Sequence, residues 1–281
     1  MNIISKVIFL VLFFISFAYA KVNIVVSVVP QKTFAKAIGG DRVAITTMVK
    51  PGNSPHTYEP KPSQMIKISK ADIYFSIGVE FEKAWLNKFK NLNKNMKIYD
   101  TSKGIKKIPI KQYQNQEKNG DISLDPHIWT SPKNVKIIAK NILNALIHVD
   151  FKNRSFYKKN YIKFIATIDK TDKKIRNILK TTPKKSKFMV FHPAWGYFAK
   201  EYGLIQIPIE VEGKKPKPRT LKHLLTEAKK DKIKAIFTSP EFSDKMAKQL
   251  AKELDINVIK VSPLNPQWSK NLINLAKAIA N

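Results

Sequence analysis

The chain has 281 residues, 43% of them hydrophobic, which supplies a sizeable core and suits two lobes better than one minimal domain. Its formal charge is +30, yet only Arg42, Arg154, Arg176 and Arg219 are arginine, and the lysines are spread evenly along the chain. Nucleic-acid readers draw on arginine for forked contacts to phosphates and base edges, so the charge is read as solvation of outer faces, with no nucleic acid as partner. The absence of cysteine excludes disulfides and thiolate metal sites and leaves histidine, carboxylate and water as ligands.

Residues 1–20 form a unit of their own. Lys6 precedes the apolar run Val7 to Phe17, and Ala18-Tyr19-Ala20 has the small-x-small pattern that signal peptidase cuts. The run is shorter than the ~20 residues a membrane-spanning helix needs, so a cleaved leader is expected, with the mature chain starting at Lys21. Without a cysteine to acylate, the product is expected to be a soluble periplasmic protein with no lipid anchor.

From Lys21 onward, strands alternate with helices. The spacing predicts strands at Val22 to Val29 (ending at Pro30), Val43 to Val49, Ile73 to Ile77 and Met96 to Tyr99. Helices are predicted at Thr33 to Ile38, from Ser63 as cap to Lys70, and at Phe81 to Phe89. Ile110 to Leu124 reads as an exposed loop, and Pro132 to Leu146 as a helix with proline in its first turn. Asn153 to Leu179 carries the longest helical pattern, either a spine between lobes or an ordinary bundle helix. Beyond it, strands are predicted at Phe188 to Phe191, Ile205 to Val211, Ala235 to Thr238 and Val258 to Val261. Helices are predicted at Tyr197 to Tyr202, Leu221 to Lys230, Asp244 to Leu254 and Trp268 to Ala280, and Gly213 to Pro218 reads as a basic turn. The expected fold is α/β, two lobes each with a central, mostly parallel sheet flanked by helices, joined by one long helix. The expected divisions are 1–20 leader, 21–150 N-terminal lobe, 151–182 linking helix and 183–281 C-terminal lobe.

Three of the five histidines share a context. His56 lies in Ser54-Pro55-His56-Thr57-Tyr58-Glu59-Pro60, His127 in Asp125-Pro126-His127-Ile128-Trp129, and His192 in Phe191-His192-Pro193-Ala194-Trp195-Gly196. Each follows a strand or opens a helix, and in parallel α/β sheets the loops at the carboxyl ends of strands bind ligands. Two lie in the first half and one in the second, which points to an interlobe cleft. Zinc suits three imidazoles, with one position left for water or a carboxylate. The alternative is three unrelated loop histidines, since distant residues carry no local spacing signature. His148, near a helix end, and His223, on a charged helix face, lack this context.

These segments resemble the zinc- and manganese-type (cluster A-I) periplasmic substrate-binding proteins of ABC transporters, nearest to the zinc-uptake members. The resemblance runs from about Val22 to the C-terminus. It rests on Pro51-Gly52 through His56 to Pro60-Lys61-Pro62-Ser63, on Ala71-Asp72, on Asp125-Pro126-His127-Ile128-Trp129, and on Phe191-His192 with Gly196-Tyr197-Phe198 and Tyr202-Gly203-Leu204. It implies two α/β lobes, a spine helix, a metal bound as transported ligand by His56, His127 and His192, and a membrane permease as partner of a monomer. The chain departs from the family where Ser262 stands before Pro263-Leu264, a place where many members carry an aspartate ligand. The fourth ligand is then Glu59, Glu241 or water; Glu241 stands where the family often has glutamine. Pro193 replaces a common aspartate, which removes a partner for the imidazole from that place. The loop Lys111 to Gly120 lacks the histidines of many zinc-specific members.

Three nitrogens favour Zn2+ over manganese, which prefers oxygen; manganese-type relatives usually have a carboxylate in place of His192. The competing reading is a secreted zinc hydrolase, but no His-Glu-x-x-His helix, Gly-x-Ser-x-Gly elbow or phosphate loop is present. Metal-assisted adhesion is a third possibility that these residues do not address.

Overall fold

The computed structural model describes residues 21–110, 123–210 and 216–281. The expected leader, most of the loop Ile110 to Leu124 and part of the basic turn Gly213 to Pro218 lie outside the described residues.

The first half builds a parallel sheet from β1 (Val22–Val26), β2 (Val43–Thr47), β3 (Ile73–Ser76) and β4 (Lys97–Asp100), in the order β2-β1-β3-β4. The central β1 pairs Val22 with Val43 on one side and Ile24 with Ile73 on the other. Helices cover both faces, which is why β1 and β3 read as unbroken apolar runs instead of alternating. The second half repeats the plan with β5 (Lys187–Val190), β6 (Ile205–Pro208), β7 (Ala235–Thr238) and β8 (Asn257–Lys260), in the order β6-β5-β7-β8. In each sheet the winding direction reverses beside the first strand, between β1 and β3 and between β5 and β7. Such a switch point leaves a crevice at the carboxyl ends of the strands.

The helices are α1 (Val29–Gly39), α2 (Pro62–Ser69), α3 (Glu80–Leu92), α4 (Pro132–Val149), α5 (Arg154–Ile178), α6 (Gly196–Tyr202), α7 (Pro218–Lys230), α8 (Lys245–Leu254) and α9 (Trp268–Ala280). Some sequence expectations need correction, among them the strand Ile205 to Val211, which ends at Pro208. Pro30 does not end a long strand; β1 stops at Val26 and Pro30 lies in the first turn of α1. Proline's fixed φ and missing N–H cost nothing there. The buried Gln31 side chain accepts hydrogen bonds from the backbone N–H groups of Ser27 and Val28 and so fastens the strand-to-helix turn. Ser63 is likewise inside α2 and not its cap: the Gln64 side chain accepts from Lys61 N at 3.0 Å.

α5 extends at both ends by tight 3-10 turns, Phe151–Asn153 and Leu179–Thr181. Tyr157, Phe164, Ile168, Thr171 and Ile175 form its buried stripe. The helix packs against α1 and α4 of the first half and α9 of the second. α9 returns across the molecule: the Trp268 ring stands edge-on to Phe34 at 5.5 Å, and its Nε1 donates to Trp129 O at 2.7 Å. Trp129 Nε1 in turn donates to Pro263 O. One buried apolar cluster therefore runs from β1 and β3 through Trp129 and α9 to Phe188 and Phe237 of the second sheet. A smaller cluster around Ile207, Ile236 and Leu250 fills the other face of that sheet. No helix among the described residues is long and apolar enough to cross a membrane.

Candidate metal centre

The three histidines come together. The ring nitrogens that His56, His127 and His192 offer all lie within 4.8 Å of one another. His192 Nε2 is 3.1 Å from His56 Nε2 and 3.4 Å from His127 Nε2. Two nitrogens bound to one tetrahedral zinc at ~2.05 Å stand about 3.3 Å apart, so the two His192 spacings are close to those of a coordination shell.

Each imidazole is placed by a different device. His56 sits in the loop after β2. That loop is pinned by Gln64, whose Nε2 donates to Thr47 O and Met48 O while its Oε1 accepts from Lys61 N and the Tyr58 hydroxyl. His127 opens the 3-10 turn Ile128–Thr130, and Asp125 Oδ1 accepts from both its backbone N–H (2.9 Å) and its Nδ1 (2.8 Å). His192 follows β5, with the Phe242 ring stacked on its face at 4.6 Å.

A carboxylate faces each Nδ1: Glu80 Oε2 at 2.6 Å from His56, Asp125 Oδ1 at 2.8 Å from His127, and Glu210 Oε1 at 2.5 Å from His192. A carboxylate oxygen accepts, so each Nδ1 carries the proton and each Nε2 presents its lone pair inward. Three lone pairs aimed at one point repel one another unless a cation sits between them. This arrangement fits a divalent metal with affinity for nitrogen. Burial holds the His192 pKa below the ordinary imidazole value; the Glu210 hydrogen bond opposes the shift, and the nearby His127 adds to it. Its neutral, ligating form is thereby favoured.

The pairs differ in exposure. The Asp125–His127 and Glu210–His192 side chains are at most 8% exposed, whereas Glu80 is 50% exposed and His56 23%. Two imidazoles are thus fixed in the interior and the third faces the opening. Glu59 is exposed, and Glu241 is half-buried beside Ser262, whose hydroxyl donates to Glu241 Oε1 at 2.6 Å. Neither joins the nitrogen group. His148 is an exposed residue in the last turn of α4, 6.3 Å from the Tyr99 ring, and His223 is exposed on α7; both lie apart from the centre.

Sequence reasoning missed the roles of Glu80 and Glu210. Pro193 does remove one partner for His192, and Glu210 supplies it from the next strand's end. The signal was an acid within the apolar stretch Ile205 to Val211, since a buried charge needs a partner. Glu80, at the start of α3, has no comparable signal.

Comparison with known proteins places these features in context. The family model described as zinc-uptake complex component A, periplasmic (ZnuA), matches residues 24–281. The high-affinity zinc uptake system protein ZnuA of Bacillus subtilis is 30% identical over 243 residues, covering 83% of this chain and 76% of that protein. The manganese ABC transporter substrate-binding lipoprotein PsaA of Streptococcus pneumoniae is 32% identical over 235 residues, covering 79% and 73%. A crystal structure of ZnuA superposes with a TM-score of 0.86 at 40% identity, covering 92% of this chain and 98% of that one.

Proposed function

Because the chain belongs to the zinc-uptake component A family of metal ABC transporter substrate-binding proteins, we propose that it captures Zn2+ with His56, His127 and His192 and delivers it to a membrane permease. The observation that carries this reading is the convergence of three Nε2 lone pairs, each set by a carboxylate on the far side of its ring. The metal is cargo, so the site must release it as well as hold it. An imidazole on the half-exposed 48–61 loop is suited to opening first.

Zinc is favoured over manganese on ligand chemistry. Both metals occur in the names of relatives, and an all-nitrogen set suits the softer ion. The leader-like pattern of residues 1–20 supports export to the periplasm, and the absence of cysteine supports a product without a lipid anchor. We take lobes 21–150 and 183–281, joined by 151–182, as the units of a monomer. The transport roles named for these relatives support a carrier and not a hydrolase.

Isothermal calorimetry tests the reading. One zinc per chain with submicromolar affinity is expected, with strong loss in each of His56→Ala, His127→Ala and His192→Ala and none in His148→Ala. Millimolar binding, or equal behaviour of all four variants, would overturn it. Elemental analysis of the protein taken from its own periplasm without added metal identifies the ion carried.

A further inference from the structure

We propose that Glu241 is the fourth ligand of the cation, and that Ser262 is the latch that orients it. This rests on the three-imidazole reading and deepens it.

Three nitrogens leave one corner of a tetrahedron open. The carboxylates nearest the histidines cannot fill it. Glu80, Asp125 and Glu210 each spend an oxygen on an Nδ1, on the side of the ring away from the converging Nε2 atoms. Glu59 is exposed on the outer arm of its loop. Asp125 Oδ2 is also buried without a partner, but that carboxylate is fixed behind the His127 ring by its other oxygen, on the backbone N–H and Nδ1 of His127. Glu241 has no imidazole partner: its Oε1 accepts from the Ser262 hydroxyl at 2.6 Å, and its Oε2 is buried without a hydrogen-bond partner. An unpaired buried carboxylate oxygen is costly, and a cation is the partner that removes the cost.

The placement is that of a ligand arm. β7 lies beside β5 in the sheet, and Glu241 follows β7 as His192 follows β5. The next residue, Phe242, is the one stacked on His192. Thr238 Oγ1 and Ser239 Oγ, just before it in the chain, are also buried without partners, so three side-chain oxygens of the 238–241 segment are unpaired. Ser262 is well set as a latch. Its Oγ accepts from Leu264 N at 3.0 Å, which commits its own hydrogen to Glu241. The Glu241 oxygens stand outside the 4.8 Å group of nitrogens, so ligation takes a rotation of the side chain or a small shift of its turn. The hydroxyl holds Oε1 and leaves Oε2 as the atom that reaches the metal. An anionic oxygen in the fourth corner also admits oxygen-preferring cations, so Glu241 sets how sharply the site separates zinc from manganese.

The test is Glu241→Gln, which keeps size and shape, titrated with zinc, manganese and cobalt, the last as a visible-absorption probe of coordination. Zinc affinity is expected to fall at least about tenfold, manganese affinity by a larger factor, and the cobalt bands to shift. The metal-free variant should melt within about 2 °C of wild type, where 1 kcal/mol corresponds to roughly 2–4 °C at this size. Adding Ser262→Asp to Glu241→Gln places a carboxylate beside the same corner and should recover much of the lost affinity, which a merely structural role would not allow. Unchanged zinc affinity and cobalt bands in Glu241→Gln, with His192→Ala still abolishing binding, would overturn this inference and leave the three-imidazole reading standing. Unchanged binding in the histidine variants would overturn both.

Discussion

At the scale of single residues, the centre is a set of three acid–imidazole pairs whose members differ in access to water, and access sets their energetic weight. A carboxylate's hydrogen bond to a ring in the interior is little screened, whereas an exposed one contributes little. Glu210→Gln should therefore weaken zinc binding by about 10- to 100-fold, in the range of orienting partners of metal-bound histidines, while Glu80→Gln costs less than about threefold. Calorimetry on both variants checks the order, and the reverse order would contradict it. Acid should act through the same residues. Burial keeps His192 neutral in the folded chain, so its folded pKa lies below the ordinary value of 6.5. Between those two values the unfolded chain binds a proton that the folded chain refuses, so stability is full above about pH 6.5 and is lost as the pH falls. Metal competes with the same protons, so zinc affinity should drop at least about tenfold from pH 7.5 to 5.5. A flat affinity over that span would refute the assignment. The three histidines were legible because each sits in a Pro-bearing or aromatic loop beside a strand. Glu80 was not, and Glu210, though marked as a buried acid by its apolar stretch, could not be matched to its ring, because nothing local joins an acid to a ring 24 or 18 positions away.

At the scale of elements, the site depends on how turns at the strand ends are fastened. The turn between β3 and α3 carries Glu80, and it is held by Glu82. That buried carboxylate accepts from the backbone N–H of Ile77 and Gly78 and from the Ser27 hydroxyl. Gly78, at φ +90°, makes the turn possible in a conformation other residues resist. Burial pushes the Glu82 pKa up to about 7, and its hydrogen bonds hold it down against a larger rise. Because the folded value exceeds the unfolded one, Glu82 contributes stability below the unfolded carboxylate range that is lost as the pH rises through about 7. Glu82→Ala strips three donors of their acceptor and should cost about 3 kcal/mol in urea unfolding, since each buried unsatisfied group costs ~1–3 kcal/mol and the turn can relax. Zinc affinity should weaken only slightly, through the loosened Glu80. The hydrophobic periods made these elements readable, as Ala235–Thr238 and Trp268–Ala280 show by matching their expected bounds. The start of α1 was misjudged because Val28 and Val29 continue the apolar run of β1 while the real stop signal, the Gln31 side chain turning back on Ser27 and Val28, is a local polar contact that hydrophobic periodicity does not register.

At the scale of the molecule, the arrangement of the lobes limits how the protein can move. Two-lobed binding proteins linked by flexible strands close by hinge rotation. Here a 25-residue helix spans the halves, and α9 locks them with Trp268 against Phe34 and the two indole hydrogen bonds through Trp129. The apolar cluster is continuous across both sheets, so a large rotation would have to break a close-packed core. The pattern of α5 suggested a spine, but the reach of α9 back to the first half was not legible, since pairing partners more than two hundred positions apart leave no trace in spacing. Metal capture should then proceed by local motion of the 48–61 loop and the Glu241 turn. Small-angle scattering is expected to give radii of gyration for metal-free and zinc-bound protein that agree within about 0.5 Å, against a larger contraction for hinge closure. Bound zinc should still stabilise the fold, because the three rings converge only in the folded chain. At a free concentration 100 times the dissociation constant the gain is about 2.7 kcal/mol. For a chain of this length that corresponds to a rise in melting temperature of roughly 5–10 °C. A marked contraction on binding would show that the shared core yields, and an unchanged melting temperature would show that the three rings do not hold the ion.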